Sequence, residues 1–210
     1  MLGRFITQLA EVAGSVVGVR SGTEEPHYTV EQTLGALQIR RYGARIAAQT
    51  TIEGDRDASL RNGFRRLASY IFGGNRNSAK IAMTAPVSQQ SADSPGQKIA
   101  MTAPVSQQSG PDGTWVIRFF MPSQATMDSL PEPNDQTVEL VTVPAQTLAV
   151  LRFGGIPRAS EVASRTDELL HALQHTTFEP AGNPVAWFYD PPWTIPFRRR
   201  NEIAIPVAAR

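Results

Sequence analysis

The three histidines of this 210-residue chain are the first candidates for metal-binding or acid–base chemistry. His171 and His175 are four residues apart, a spacing that places two imidazoles on one helix face, as in many metal sites. The sequence suggests no third ligand, and His27, in the segment EEPHYTV, is expected at the surface. No carboxylate pair stands out as a general acid and base, and the phosphate-binding, nucleophilic-serine and zinc-protease motifs are missing. We therefore expect neither a metal site nor a catalytic activity.

Arginines beside apolar residues are a more informative signal. Arg61 and Arg65 lie one turn apart in a predicted helix, next to Phe64 and Ala68. Guanidinium groups hold carboxylates through paired, planar hydrogen bonds, and almost all of the 20 basic residues are arginines. Two interpretations stay open: a solvated basic helix face, or a rim that holds the carboxylates of a flat apolar ligand.

Aromatic residues are concentrated near the C-terminus, in the segment Trp187–Trp193 (WFYDPPW) and at Phe197. Core packing explains most of this density. An exposed Trp193 or Phe197 would instead suit contact with a planar ligand.

Composition excludes several classes of function. The chain has no cysteine, which rules out disulfides, iron–sulfur clusters, cysteine zinc sites and thiol nucleophiles. The formal charge is +1, whereas dedicated nucleic-acid binders carry a large basic excess. No apolar stretch approaches the ~18 residues that a transmembrane helix needs. We expect a cytoplasmic protein that neither binds nucleic acid nor crosses a membrane.

Residues 1–22 are predicted to form an amphipathic helix that precedes a single domain over residues 23–210. Apolar residues recur at three- and four-residue steps in MLGRFITQLAEVAGSVVGVR. Gln8 and Glu11 interrupt the apolar stretch that a signal peptide would need. The helix is expected to dock on the domain or on a second copy of the chain, as in a homo-oligomer. Contact with a membrane surface is the alternative, although the polar face has few basic residues.

Two β–α units recur at one constant offset along the chain. A strand over Ala44–Ile52 precedes a helix over Asp57–Phe72, and a strand over Gln146–Phe153 precedes a helix over Arg158–Leu173. Chance matching of apolar positions is possible for two helices alone, but the strands match at the same offset. We therefore favour a duplicated unit.

The segment KIAMTAPVSQQS occurs twice, at Lys80–Ser91 and at Lys98–Ser109. Its alternating apolar residues predict two neighbouring strands of a hairpin. The core-facing residues would be Ile81, Met83, Ile99 and Met101. Further strands are predicted at Thr114–Met121 and Thr137–Val143. Strands that mostly follow strands indicate an α+β fold, with an antiparallel sheet of about eight strands that forms a distorted barrel or a half-open sheet.

Three segments together resemble the SOUL heme-binding protein family. They are SLRNGFRRLASYIFGGN followed by KIAMTAPV, the strand ALQIRRYG, and the ending YDPPWTIPFRRRNEIAI. The resemblance runs from about Glu24 to Val207. It implies a distorted antiparallel β-barrel of two pseudo-repeats, each with one helix. It also implies reversible binding of heme or another tetrapyrrole in a shallow apolar groove beside the first helix, for buffering, transport or delivery.

The resemblance also suggests site residues. Arg41 precedes Tyr42 at the position where an axial histidine has been proposed in the family. Because a guanidinium stays protonated, it is no ordinary iron ligand, and heme is expected to bind without a strong histidine bond. The candidate ligand-binding residues are Arg41, Arg61, Phe64, Arg65, Ala68, Trp193 and Phe197. Two alternatives stay open: a module that binds another apolar ligand or a protein partner, and an enzyme that modifies a tetrapyrrole, for instance by removing its metal.

Overall fold

The computed structural model describes residues 24–91, 113–191 and 193–210. The predicted N-terminal helix and the second copy of the repeated segment lie outside the described residues. In chain order the elements are β1 (Tyr28–Leu34), β2 (Leu37–Tyr42), β3 (Arg45–Glu53), α1 (Arg56–Ile71), β4 (Val87–Ser91), β5 (Thr114–Phe120), β6 (Val138–Val143), β7 (Gln146–Phe153), α2 (Ala159–Leu173), β8 (Phe178–Pro180), β9 (Val185–Phe188), a 3-10 helix (Pro196–Arg198) and β10 (Asn201–Ala209). Neither α-helix is long and apolar enough to span a membrane, which holds for the described part of the chain.

The strands form one antiparallel sheet with the order β1–β2–β7–β10–β9–β4–β5–β3–β6, and β8 pairs with the end of β10. The predicted antiparallel α+β fold is confirmed. The sheet is curled into a half-barrel, which is the half-open alternative, and it contains ten described strands where about eight were predicted. Superposition of the two β–α units stays a prediction, although their strands β3 and β7 occupy matching places in the two halves.

Both helices cover the same face of the sheet, which we call the outer face. Val87 of β4 and Phe188 of β9 are directly opposite each other, so their side chains lie on one face. Val87 packs with the residues under α1, and Phe188 packs with those under α2. The opposite, inner face therefore encloses the hollow of the half-barrel.

Helix α1 begins and packs for identifiable reasons. The Asp55 carboxylate accepts hydrogen bonds from the backbone N–H groups of the second and third helical residues, at 2.8 and 3.1 Å. Gly63 lets the helix approach the sheet, because a Cβ there would lie 2.4 Å from Cγ1 of Ile117. Leu67 and Ile71 are buried on the same side. The observed helix begins and ends one residue before the predicted Asp57–Phe72.

The repeated segment is only partly a strand. Residues 80–86 are irregular, and β4 begins at Val87. Over Val87–Gln89, β4 pairs with β5 along one edge and with β9 along the other. The predicted pairing with the second copy is therefore wrong over these residues, because both edges are occupied. The predicted core position of Met83 is also wrong, since its side chain is 38% exposed, whereas Ile81 packs partly buried under α1.

Candidate ligand-binding site

Helix α1 presents an amphipathic stripe to solvent, which we call the α1 face. It comprises Arg61, Phe64, Arg65, Ala68 and Phe72. Successive residues of an α-helix are about 100° apart, so these five lie within roughly a quarter of the circumference. Phe64 is 41% exposed and Phe72 is 61% exposed. The structure thus brings together four of the residues predicted from the sequence, and it adds Phe72, whose i+4 spacing from Ala68 could have identified it.

The sheet beneath holds the Phe64 ring in place. The ring packs edge-on against Phe119 of β5, with 5.2 Å between the ring centres. Phe119 is itself buried among the residues under α1. An aromatic ring that is anchored on one side and exposed on the other offers a ligand a surface at little ordering cost.

The C-terminal end of α1 is bordered by the loop between β5 and β6. The Tyr70 hydroxyl donates a hydrogen bond of 2.9 Å to the carbonyl of Pro131. Ala125 and Leu130 of the same loop pack against the residues under α1. The loop between β5 and β6 is therefore fixed against the helix.

The first turn of α1 is tied to the segments that contain Trp193 and Phe197. The Arg56 guanidinium donates a hydrogen bond of 3.3 Å to the carbonyl of Pro157, in the β7–α2 loop. Gly155 in that loop donates its N–H to the carbonyl of Pro196, at 3.0 Å. Trp193 and Phe197, in the β9–β10 connection, are 62% and 77% exposed. Both residues are therefore exposed, but the contacts place their segment at the N-terminal end of α1 and not on the α1 face.

Arg41 does not lie on the α1 face. It is an exposed residue of β2 and forms an ion pair with Glu31 on β1. In the sheet, β2 is separated from the strands under α1 by β7, β10, β9 and β4.

The histidines are also outside the α1 face. His171 and His175 lie on exposed positions at the end of α2, with ring centres 5.5 Å apart. His27 immediately precedes β1 and is exposed. Within the described ranges there is no group of three or more His, Asp or Glu residues that could hold a metal ion.

Buried charges occupy the centre of the half-barrel beside the motifs YDPPW and RRNE. Glu202 is fully buried and accepts hydrogen bonds from Arg40, from Arg200 and from the Tyr189 hydroxyl, the last at 2.7 Å. Glu25 pairs with Arg200 at 2.9 Å. Burial alone would raise the pKa of Glu202, but the two guanidinium groups outweigh it and hold that pKa below its usual value. Sequence analysis missed this network, which balances two positive and two negative charges.

Two cavities flank this network, and neither includes a residue of α1. A cleft of about 1010 Å³ is lined by arginines and aromatic residues, among them Arg40, Arg152 and Phe197. A smaller cavity of about 370 Å³ lies on the inner face of the sheet.

The fold is a curled antiparallel sheet with two helices on its outer face, and solved structures share this architecture. The C-terminal domain of EcmrR has the same fold, with a TM-score of 0.58, 11% identity, and coverage of 87% of this chain and 99% of that one. A hydrolase from Listeria innocua is similar, with a TM-score of 0.54, 9% identity, and coverage of 90% and 94%.

The family model described as SOUL heme-binding protein matches residues 23–206, and the chain belongs to this family. It is 32% identical to "Heme-binding protein 2" of Homo sapiens over 130 residues, which are 60% of this chain and 56% of that protein. It is 28% identical to "Heme-binding protein 1" of Xenopus laevis over 169 residues, 80% of this chain and 82% of that protein. The resemblance seen in the sequence is confirmed.

Proposed function

We propose that this protein binds heme or another tetrapyrrole reversibly on the α1 face, and that it buffers, transports or delivers the ligand without altering it. One observation carries the proposal: Phe64 and Phe72 stand exposed on either side of the small Ala68, with Arg61 and Arg65 along the same stripe. Membership of the SOUL family and the names of the relatives support the choice of ligand.

The α1 face suits a flat apolar ring system that carries carboxylates. Ala68 leaves space between the two phenylalanines, so a macrocycle can lie across both rings. Apolar burial contributes roughly 25 cal/mol per Å², whereas an exposed ion pair contributes about 0–1 kcal/mol. Phe64 and Phe72 therefore supply most of the affinity, and Arg61 and Arg65 orient the propionates.

Binding is proposed to occur without a histidine ligand, because the α1 face contains no histidine: His27 precedes β1, and His171 and His175 lie at the end of α2. The ligand is then held by its ring rather than by its iron. A metal-free porphyrin should bind almost as well as heme. In a related proposal, the exposed phenylalanines bind a different apolar ligand. That proposal predicts that neither heme nor metal-free porphyrin binds.

Titration with hemin, followed by absorption spectroscopy and by analysis of the pigment afterwards, tests the proposal. Phe64→Asp is expected to weaken binding at least tenfold, and Arg61→Ala less than threefold. Val30→Asp is the matched control, since Val30 is 43% exposed on β1, and it should bind like the unaltered protein. Unchanged binding by Phe64→Asp would exclude the α1 face, and release of metal-free porphyrin would show an enzyme instead.

A further inference from the structure

The cavity on the inner face is separated from the α1 face by the sheet itself. Its volume of about 370 Å³ lies within the range of small-molecule sites. The wall combines apolar and polar side chains, including Phe120, Leu148 and Trp187 beside Gln49, Gln90 and Arg118. Such a wall favours a ligand with an apolar body and one polar end.

Trp187, which lines this cavity, holds a buried hydrogen-bond donor that has no partner among the described residues. The residue is 3% exposed, and no described residue offers an acceptor to its buried Nε1–H. Buried indole N–H groups ordinarily donate to an acceptor, because an unmade hydrogen bond keeps its full desolvation penalty. An acceptor from a ligand would remove that penalty.

Arg45 supplies a positive charge near the Trp187 indole. Its guanidinium carbon lies 4.5 Å from the ring centre of Tyr42 and 4.6 Å from that of Phe120. Both rings pack edge-on against Trp187. All three guanidinium nitrogens are buried and have no acceptor among the described side chains. Burial lowers the pKa of Arg45 to about 10, because removal from water penalises the charged guanidinium.

Arg118 brings a second guanidinium to the cavity wall. It donates to the side-chain oxygens of Gln49 and Gln90, at 2.9 and 3.2 Å, which are neutral partners. Glu139, an exposed residue of β6, reaches Gln49 at 3.3 Å and not Arg118. Burial lowers the pKa of Arg118 as well. Arg40 and Arg200, in contrast, are neutralised by Glu202 and Glu25.

We propose that the inner cavity is a second binding site, for a small organic acid whose carboxylate sits on a flat apolar body. The carboxylate is received by the Trp187 Nε1–H and the Arg118 guanidinium, and Arg45 adds a deeper positive charge behind the Phe120 ring. The apolar body packs against Phe120 and Leu148. This site is independent of the tetrapyrrole site proposed on α1.

The indole N–H signal of Trp187 in a ¹H–¹⁵N spectrum reports on the site directly, and it is assigned from the spectrum of Trp187→Phe. The probes are 2-naphthoate and its neutral counterpart 2-naphthamide. We expect naphthoate to shift the Trp187 signal in a saturable manner, and naphthamide to leave it in place. Equal shifts with both probes, or no shift with naphthoate, would overturn the proposal.

Two arginine variants test the charges. Arg118→Met is expected to weaken naphthoate binding at least tenfold, whereas Arg158→Met, which removes an exposed guanidinium at the start of α2, should leave it unchanged. If Arg118→Met does not fold, Arg118→Lys is used instead. Lysine keeps the positive charge but lacks the planar guanidinium that donates two parallel hydrogen bonds, so binding should weaken severalfold. Equal affinity of Arg118→Met and Arg158→Met would count against the proposal. Hemin titrated into naphthoate-saturated protein should bind as before, and competition between the two would show that the sites are one.

Discussion

The guanidinium of Arg40 and the carboxylate of Glu202 meet in two hydrogen bonds, Nη1 to Oε2 at 3.0 Å and Nη2 to Oε1 at 3.3 Å. The side chain of Arg40 is 5% exposed and that of Glu202 is fully buried. Arg40 belongs to β2 and Glu202 to β10, the two strands that flank β7. The pair therefore connects two strands across a third on the inner face.

Replacement of Glu202 by Gln should destabilise the protein strongly. The amide keeps the shape of the side chain but removes the charge that both Arg40 and Arg200 need. Breaking a buried ion pair in this way costs about 3–5 kcal/mol. Urea unfolding should show the loss as a lower midpoint with an unchanged slope. Glu179→Gln, at an exposed position of β8, is the control and should change the midpoint little. Similar midpoints for both variants would mean that the network contributes no net stability.

The same carboxylate predicts a dependence of stability on acid pH. The pKa of Glu202 in the folded protein is below its ordinary value of 4.5, so the unfolded chain binds the proton more readily. Its contribution to stability is therefore complete above about pH 4.5 and is lost as the pH falls through the folded pKa. The free energy of unfolding should fall more steeply between pH 5 and 3 in the unaltered protein than in Glu202→Gln. Asp135, whose pKa is lowered by hydrogen bonds from Thr137, leaves some acid sensitivity in the variant. Parallel pH profiles would contradict the assignment.

Elements with a strong local pattern could be predicted from the sequence. The strand Gln146–Phe153 has the predicted bounds, because its residues alternate between the two faces of a central strand. Both helices begin and end within one residue of their predicted bounds. Lys80–Pro86 also alternates between apolar and other residues, but it is not a strand. The neighbouring strands β5 and β9 pair with this segment of the chain only from Val87 onward.

The inner face could not be predicted, because its residues come from distant parts of the chain. Glu202 is an evident charge in the apolar strand NEIAIPV, but its partner Arg40 is 162 residues away. Arg45 looks like the polar start of a strand, and only the pairing of β3 with β5 brings it beside Phe120. Most of the α1 face could be predicted, since four of its residues lie on one helix and Phe72 directly follows the last helical residue.

Gly63→Ala should destabilise the protein even though alanine favours helices. The helix gains about 1 kcal/mol from the substitution. The new Cβ would lie 2.4 Å from Cγ1 of Ile117, so the helix must move away from the sheet, at a cost of typically 1–3 kcal/mol. We expect a net loss, seen as a thermal midpoint lower by roughly 2–6 °C. Asn62→Ala, on the exposed side of the same turn, should leave the midpoint equal or slightly higher. If the Gly63→Ala variant were more stable than the unaltered protein, Ile117 and β5 would have to shift to make room for the new methyl group at little cost.

The last prediction concerns the spectrum of the heme complex. Because His27, His171 and His175 do not belong to the α1 face, none of them is expected to bind the iron. The complex should have the absorption spectrum of weakly ligated heme, and a variant with all three histidines replaced by alanine should bind hemin with the same affinity and spectrum. Raising the salt concentration should weaken binding only modestly, because exposed ion pairs contribute little. His171→Ala alone is a second control. Among the described residues, His171 and His175 are the only two histidines whose rings are adjacent, so they are the pair most able to bind one iron together. A low-spin spectrum with two imidazole ligands, lost in the triple variant, would show that histidines bind the iron and would contradict the proposed mode of binding.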